Sequence, residues 1–313
     1  MFDILEITLP IYIAIALGYG LTRWGVFAKT DMRTLGTFVV KVAMPALLFN
    51  ALSQRSLSDI LNSEYLASYA AASLITLSLS VAWTLKVLKK SRSLSACFGM
   101  GMTCSNSGFV GYPIALLTLG PMAGVSLALN MIVENLLVIP LLLAWAETGA
   151  GQQRWHQILI QTLKEMFKNP MIWGMVLGFV FSWCSIQLPS SLNRAVSLFA
   201  QASGALSLFV IGGSLVGLSV RGMGANVGQI ALGKLLIHPL VMWAVLTWLI
   251  PISDPVLRTA VLLTCAMPIM GIYPIFTQKY GHDGLSAAAV LVTTMASFVT
   301  LNLLLWVLQN HNL

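Results

Sequence analysis

The chain has 313 residues, of which 58% are apolar and 9% charged, with a mean hydropathy of +0.86. A soluble domain usually carries about 25% charged residues, so this composition excludes a water-soluble globular protein and reads as a polytopic membrane protein. The formal charge of +7 is spread over short loops, which fits membrane orientation rather than a nucleic-acid partner.

A membrane span needs about 20 apolar residues. In chain order that criterion gives ten segments: 4–21, 35–52, 65–85, 94–119, 121–146, 170–186, 195–220, 227–250, 256–278 and 286–308. Asp3 and Glu6 precede the first, and no small-x-small cleavage site follows it, so it reads as a retained span rather than a signal peptide. Only Gly120-Pro121 separates the fourth segment from the fifth. No polar stretch is long enough to fold by itself.

Orientation follows from Lys and Arg in the loops. Loops one, three, five, seven and nine hold Arg23, Lys29, Arg33, Lys86, Lys89, Lys90, Arg92, Arg154, Lys164, Lys168, Arg221 and Lys279. The even loops hold only Arg55, Arg194 and Arg258. The odd loops are therefore expected in the cytoplasm and both termini on the outer, periplasmic side of the inner membrane. The longest connection divides the chain into a first five-span repeat over 1–147, a cytoplasmic loop over 148–169 and a second repeat over 170–313.

The halves repeat each other. Pro10, Leu17 and Gly18 match Pro170, Leu177 and Gly178, and Thr103, Cys104, Tyr112, Pro113 and Gly120 match Thr264, Cys265, Tyr273, Pro274 and Gly281. An odd number of spans per repeat inserts the second copy upside down. The expected fold is an all-α polytopic membrane protein with ten transmembrane helices as an inverted 5+5 repeat.

The matched stretches 103–113 and 264–274 interrupt the fourth and ninth spans with glycine, proline and polar side chains. Gly costs about 1 kcal/mol and Pro about 3 relative to Ala inside a helix. In hydrocarbon, backbone freed in this way survives only where protein or a water-filled cavity satisfies it. Paired interruptions in corresponding places point to a substrate site; simple proline kinks filled by neighbouring helices are the plainer reading. Half-helix N-termini carry partial positive charge and unpaired N–H donors, which suits a carboxylate. Candidate substrate contacts are Ser105, Asn106, Ser107 and Gly108 in the fourth span and Met267, Pro268, Met270 and Gly271 in the ninth, with Asn50 on the second. Asn106 can orient a carboxylate without a full charge.

Glu134 lies mid-span with Asn130 one turn before it and Asn135 after it. An acid at that depth is costly and usually has a task. It is read as taking up and releasing a coupling proton, or helping to bind a cation; a permanently protonated structural acid is the alternative. Lys41 is expected to snorkel, and Lys234 and His238, four apart on one face, read as an interfacial anchor more readily than as an anion attractor. Asn302 has no assignable role. The four cysteines, Cys97, Cys104, Cys184 and Cys265, have no C-x-x-C spacing and read as buried small hydrophobes.

Asn106, Gly111 and Pro113 form N-x4-G-x-P, which resembles the fourth-span motif of the auxin efflux carrier family. Residues 266–274 resemble its ninth-span motif and Pro45-Ala46-Leu47-Leu48-Phe49 its second-span motif. The resemblance covers the whole chain, as a compact bacterial member of the bile acid/arsenite/riboflavin-type superfamily. It implies a scaffold of spans 1, 2, 6 and 7 and a transport domain of spans 3–5 and 8–10, with helices 4 and 9 crossing at Pro113 and Pro274. It also implies elevator-type alternating access of small organic anions, here mono- or dicarboxylates such as malate or malonate, since a long central loop is absent. The chain's coupling ion is expected to be a proton, with sodium-coupled or uncoupled export of an auxin-like carboxylate as the alternative. No cofactor or metal is expected, and the residues leave a homodimer open.

An enzyme is not expected: His156, His238, His282 and His311 do not cluster, and neither H-E-x-x-H nor G-x-S-x-G occurs. A channel needs no inverted repeat, and a sensor usually adds a soluble output domain. No Walker sequence is present to couple ATP.

Overall fold

In lipid an apolar chain must satisfy its own backbone polar groups, and this one does so as helices. The structure, a computed structural model, describes residues 2–56, 60–148, 160, 164, 167–217 and 224–311, with backbone only for 2–7, 148 and 311. Among them no strand occurs beyond one isolated bridge. The connecting loop expected at 148–169, and with it Arg154 and His156, lies almost wholly outside the described residues, as does Arg221.

The helices are α1 (Phe2–Arg23), α2 (Lys29–Ser53), α3 (Ser63–Val87), α4 (Arg92–Thr103), α5 (Ser107–Leu119), α6 (Met122–Glu147), α7 (Pro170–Trp183), α8 (Ser190–Ser214), α9 (Gly224–Trp248), α10 (Pro255–Ala266), α11 (Tyr273–Gln278) and α12 (Asp283–His311). Among the described residues six of these, α2, α3, α6, α8, α9 and α12, are long and apolar enough to cross a membrane. The protein is an integral multi-pass membrane protein. The fourth and ninth segments are both interrupted, between α4 and α5 and between α10 and α11. The break at Gly120 is also present, and its φ of +59° is a conformation that favours glycine.

Prolines leave a regular signature. Pro lacks an N–H and its ring clashes with the carbonyl four residues earlier, which a one-turn π-bulge relieves. π-Turns over Val39–Ala43, Ser107–Gly111, Glu134–Val138 and Gly233–Ile237 stand immediately ahead of Pro45, Pro113, Pro140 and Pro239. The carbonyl displaced by Pro113, that of Phe109, accepts a bond from Ser207 Oγ at 2.9 Å. Glu134 and Lys234, an acid and a base of the site described below, sit in such turns.

The chain forms two compact units. One comprises 1–62, 108–129 and 165–217; the other comprises 63–107, 130–164 and 218–313. The resemblance implied that spans 3–5 travel together, whereas Gly108–Leu129, the end of the fourth span and the start of the fifth, groups with spans 1, 2, 6 and 7.

Within the first unit, helices approach closely through glycine. Gly174 and Gly178 of α7 press on the backbone of α2: a Cβ at Gly174 would lie 2.5 Å from the Pro45 carbonyl oxygen, and one at Gly178 would lie 2.9 Å from Leu52 Cβ. This small-xxx-small stripe gives the dispersion contact that lipid cannot supply as a hydrophobic drive. Phe49 and Phe181 pack edge to face beside it at 5.0 Å.

Within the second unit, polar bonds tie α3, α4, α6 and α9–α12 together. Trp145 Nε1 donates to Ser95 Oγ at 3.0 Å, and Tyr273 OH donates to the Cys97 carbonyl at 2.6 Å. Lys279 pairs with the buried carboxylate of Glu147, to which Tyr280 OH also donates at 2.7 Å. Cys97, Cys104 and Cys265 are buried as expected, but Cys184 is exposed, because it caps the end of α7 rather than packing inside it.

Candidate functional site

The two interruptions meet inside the second unit. After Thr103 the chain turns extended at Cys104 (ψ 121°), and after Ala266 it turns extended at Met267 (ψ 154°). Ser105 and Ile269 then pair as an isolated antiparallel bridge. Asn106 N–H donates to the Pro268 carbonyl at 2.8 Å, and Met270 N–H donates to the Cys104 carbonyl at 3.3 Å. Each broken helix thus satisfies part of the other's freed backbone. The pairing falls ahead of the two prolines that the resemblance named as the crossing. Pro274 instead stands at the second position of α11, and Pro113 at the second position of the α-helical stretch Tyr112–Leu119 that follows the π-turn in α5.

Three helices each bring a polar pair spaced by one turn. From α3, Tyr65 OH donates to Asn130 Oδ1 at 2.8 Å and Tyr69 OH to Glu134 Oε1 at 2.7 Å, so the two tyrosines match the two polar residues of α6 rung for rung. Asn130 Nδ2 continues to Thr264 Oγ1 at 2.9 Å. From α9, Lys234 Nζ reaches Ser105 Oγ at 2.6 Å, the Cys265 carbonyl at 3.0 Å and His238 Nδ1 at 3.0 Å. An ammonium has three protons, so these three acceptors saturate it. With Nδ1 accepting, the imidazole proton sits on Nε2, 3.5 Å from Cys265 Sγ.

The electrostatics follow from helix ends. α4 and α10 both terminate here, and a helix C-terminus carries about half a negative charge on its unpaired carbonyls. Ser105 Oγ donates to one such carbonyl, Thr264 O, at 2.7 Å, and Lys234 takes the next, Cys265 O. A buried ammonium is costly unless it is paired and fully hydrogen-bonded, and this one is answered by the Cys265 carbonyl at the end of α10, by Ser105 Oγ and by His238 Nδ1. Glu134 adds the opposing charge, held by Tyr69 and by the Ser105 N–H at 2.9 Å. At this cluster it is the C-terminal ends of α4 and α10 that converge, and the cation beside them, Lys234, is the chain's own.

The interfacial-anchor reading of Lys234 and His238 is corrected. Both have 0% exposed surface, and Lys234 lies in the middle of α9. Sequence reasoning missed Tyr65, Tyr69 and Thr264. The readable signal was the same spacing of four in three apolar spans: Tyr65 and Tyr69, Asn130 and Glu134, Lys234 and His238.

The remaining candidates divide. Ser105, Asn106, Asn130, Glu134, Met267 and Pro268 are buried together in the second unit, with Ser107 and Met270 beside them. Gly271 is exposed. Asn135 Nδ2 folds back onto the Met131 carbonyl of its own helix at 2.8 Å. Gly108 and Asn50 belong to the first unit, where Asn50 Oδ1 accepts from Gln54 at 2.8 Å. Lys41 is exposed, and Asn302 Nδ2 donates to the Phe298 carbonyl at 2.6 Å. Among the described residues no three of His, Cys, Asp and Glu converge as metal ligands.

Comparison with known proteins gives this arrangement a family. A Rhizobium meliloti protein named "Putative malonate transporter" is 27% identical over 315 residues, covering 99% of this chain and 97% of its own length. An uncharacterized transporter of Methanocaldococcus jannaschii is 25% identical over 316 residues, covering 98% of this chain and 99% of its own. One from Escherichia coli is 22% identical over 247 residues, or 75% of each chain. The family model described as "Membrane transport protein" matches residues 3–307. The chain belongs to that membrane transport protein family, the family of the auxin efflux carriers its motifs resemble, and is a transporter rather than an enzyme.

Proposed function

We propose that the chain is a secondary active transporter of small organic anions, mono- or dicarboxylates such as malate or malonate, working by elevator-type alternating access with proton coupling at Glu134. The observation that carries the reading is the bridge between the two interruptions, where Asn106 stands next to the paired backbone and a buried acid and base lie within the same network. Irregular backbone at membrane depth is tolerated only where protein or a cavity satisfies it, and in transporters such breaks form the substrate site. In this reading Asn106 and Ser107 receive the carboxylate, and Met267 and Met270 make an apolar wall that suits a short methylene chain. The relative named for malonate supports the substrate class.

The wider frame of the proposal is the ten-span inverted 5+5 repeat, with halves at 1–147 and 170–313, in the inner membrane with both termini outside. The test is uptake into proteoliposomes, with thermal stabilisation, across a panel of mono- and dicarboxylates at varied pH and sodium. Saturable malonate or malate uptake that rises with a proton gradient and is lost in Asn106→Ala is expected. If no carboxylate binds, or Asn106→Ala binds as wild type, the reading is lost; dependence on sodium and not on pH replaces the proton.

A further inference from the structure

Ser105 occupies the one position where the acid, the ammonium and both interruptions meet. Its N–H donates to Glu134 Oε1 at 2.9 Å, its hydroxyl donates to the Thr264 carbonyl at 2.7 Å, and the same hydroxyl accepts from Lys234 Nζ at 2.6 Å. A hydroxyl has one proton to give, so these bonds leave it no donor for a substrate. The contact expected of Ser105 with substrate is thereby reassigned.

The two peptide groups flanking Ser105 carry the rest. The Cys104 carbonyl and the Ser105 N–H belong to one planar unit, which peptide resonance keeps rigid. One end of that plane is held by Glu134, and the other accepts the Met270 N–H. The next plane, from the Ser105 carbonyl to the Asn106 N–H, is held by the Pro268 carbonyl. A change at Glu134 therefore reaches the ninth-span backbone through a single rigid group, and reaches Asn106 through the next.

We infer that Ser105 is a positioning residue that transmits the charge state of Glu134 to the bridged interruptions and so to Asn106. This rests on the proton-coupled carboxylate reading above. As a carboxylate, Glu134 Oε1 accepts two charge-assisted bonds, from Tyr69 OH and Ser105 N–H. Such bonds are about twice as strong as neutral ones. A proton on Glu134 turns both into neutral bonds and loosens the first plane, while Lys234 and Thr264 keep the Ser105 side chain in place as a pivot. The titratable groups facing the acid are Tyr69 from α3, Cys104 at the end of α4, Cys265 at the end of α10, and Lys234 and His238 from α9. Of these Lys234 is the only fixed opposing charge, and Ser105 is its route of contact.

Hydrogen exchange of the full-length protein in detergent, read on peptides covering 104–107 and 268–271, tests the joint without any substrate. Glu134→Gln keeps a neutral oxygen acceptor and stands in for the protonated acid. Exchange at Ser105, Asn106 and Met270 amides should rise about five-fold over wild type in that variant. In wild type the same amides should gain protection as pH rises, once intrinsic exchange is corrected for. Unchanged exchange in both experiments overturns the inference, whatever the substrate.

Uptake supplies the second arm. Ser105→Ala keeps the N–H to Glu134 and removes the pivot, so the pH dependence of malonate uptake should flatten to within about two-fold, while Ser105→Thr, which keeps a hydroxyl, restores the wild-type profile. A merely structural role lowers uptake by one factor at every pH, and that outcome sinks the inference. Failure of wild type to transport any carboxylate would instead sink the functional reading, leaving the exchange result to stand alone.

Discussion

Asn106 and Pro268, from two different spans, share a backbone hydrogen bond of 2.8 Å. The donor is the main chain of Asn106, so its side chain is not what holds the bridge. Asn106→Ala should accordingly fold with a loss of about 1 kcal/mol or less, yet lower carboxylate uptake at least about ten-fold if the amide orients the substrate. Melting temperature and initial uptake rate, measured on the same preparation, separate the two effects. A variant that loses both together would assign the side chain to structure.

Glu134 and Lys234 are linked through Ser105 and carry opposite charges inside one buried network. Removing one partner of a buried charge network costs about 3–5 kcal/mol, because the other is left uncompensated. Lys234→Met should destabilise strongly, Glu134→Gln, which keeps an oxygen acceptor for Tyr69 and Ser105, much less, and the double variant should recover at least about 1 kcal/mol relative to their sum. A double-mutant cycle on thermal stability checks this. Strict additivity would mean that the two charges do not sense each other.

Gly174 and Gly99 test what kind of atom limits a close approach. A Cβ at Gly174 would stand 2.5 Å from the Pro45 carbonyl oxygen and 2.7 Å from Pro45 Cα, both backbone. At Gly99 the nearest atom is the end of a side chain, Leu142 Cδ2 at 2.8 Å. Gly174→Ala should cost about 1–3 kcal/mol from overpacking. Gly99→Ala should be near neutral, since Leu142 can turn away and alanine gains about 1 kcal/mol of helix propensity. Thermal melts of the two variants give the ranking directly.

His282 lies between α11 and α12, outside the spans, with Nε2 3.4 Å from Ser93 Oγ. Partial burial pushes its pKa below the ordinary histidine value, with Asp283 pulling back the other way. The folded state therefore favours the neutral ring. Its contribution to stability is present above the unfolded pKa of about 6.5 and is lost as pH falls through the lower folded value. Wild type should lose melting temperature between pH 7.5 and 5.5 more steeply than His282→Gln. Parallel slopes would remove His282 from the acid sensitivity.

Much of the molecule is legible in the sequence itself. Apolar run length marks the spans, because a bilayer of fixed thickness accepts only helices long enough to cross it. The interruptions at 103–113 and 264–274 were legible for an equally local reason: glycine and proline act on their own backbone. Glu134 and Asn130 were marked by depth alone, and both lie in the buried network.

Lys234 shows where that reading stops. A lysine and a histidine four apart on one face suit a snorkelling anchor as well as a buried pair, and the difference lies in what faces them. Only the tertiary structure brings the ends of α4 and α10 against α9, so that Ser105 Oγ and the Cys265 carbonyl receive the ammonium. The same holds for the polarity of the site. Local sequence says that two helices break, but which broken ends converge depends on how the two stretches pair across the fold. Composition and backbone chemistry act between neighbours along the chain and so are written in order. The cost of burying a charge is decided by atoms that are neighbours only in space.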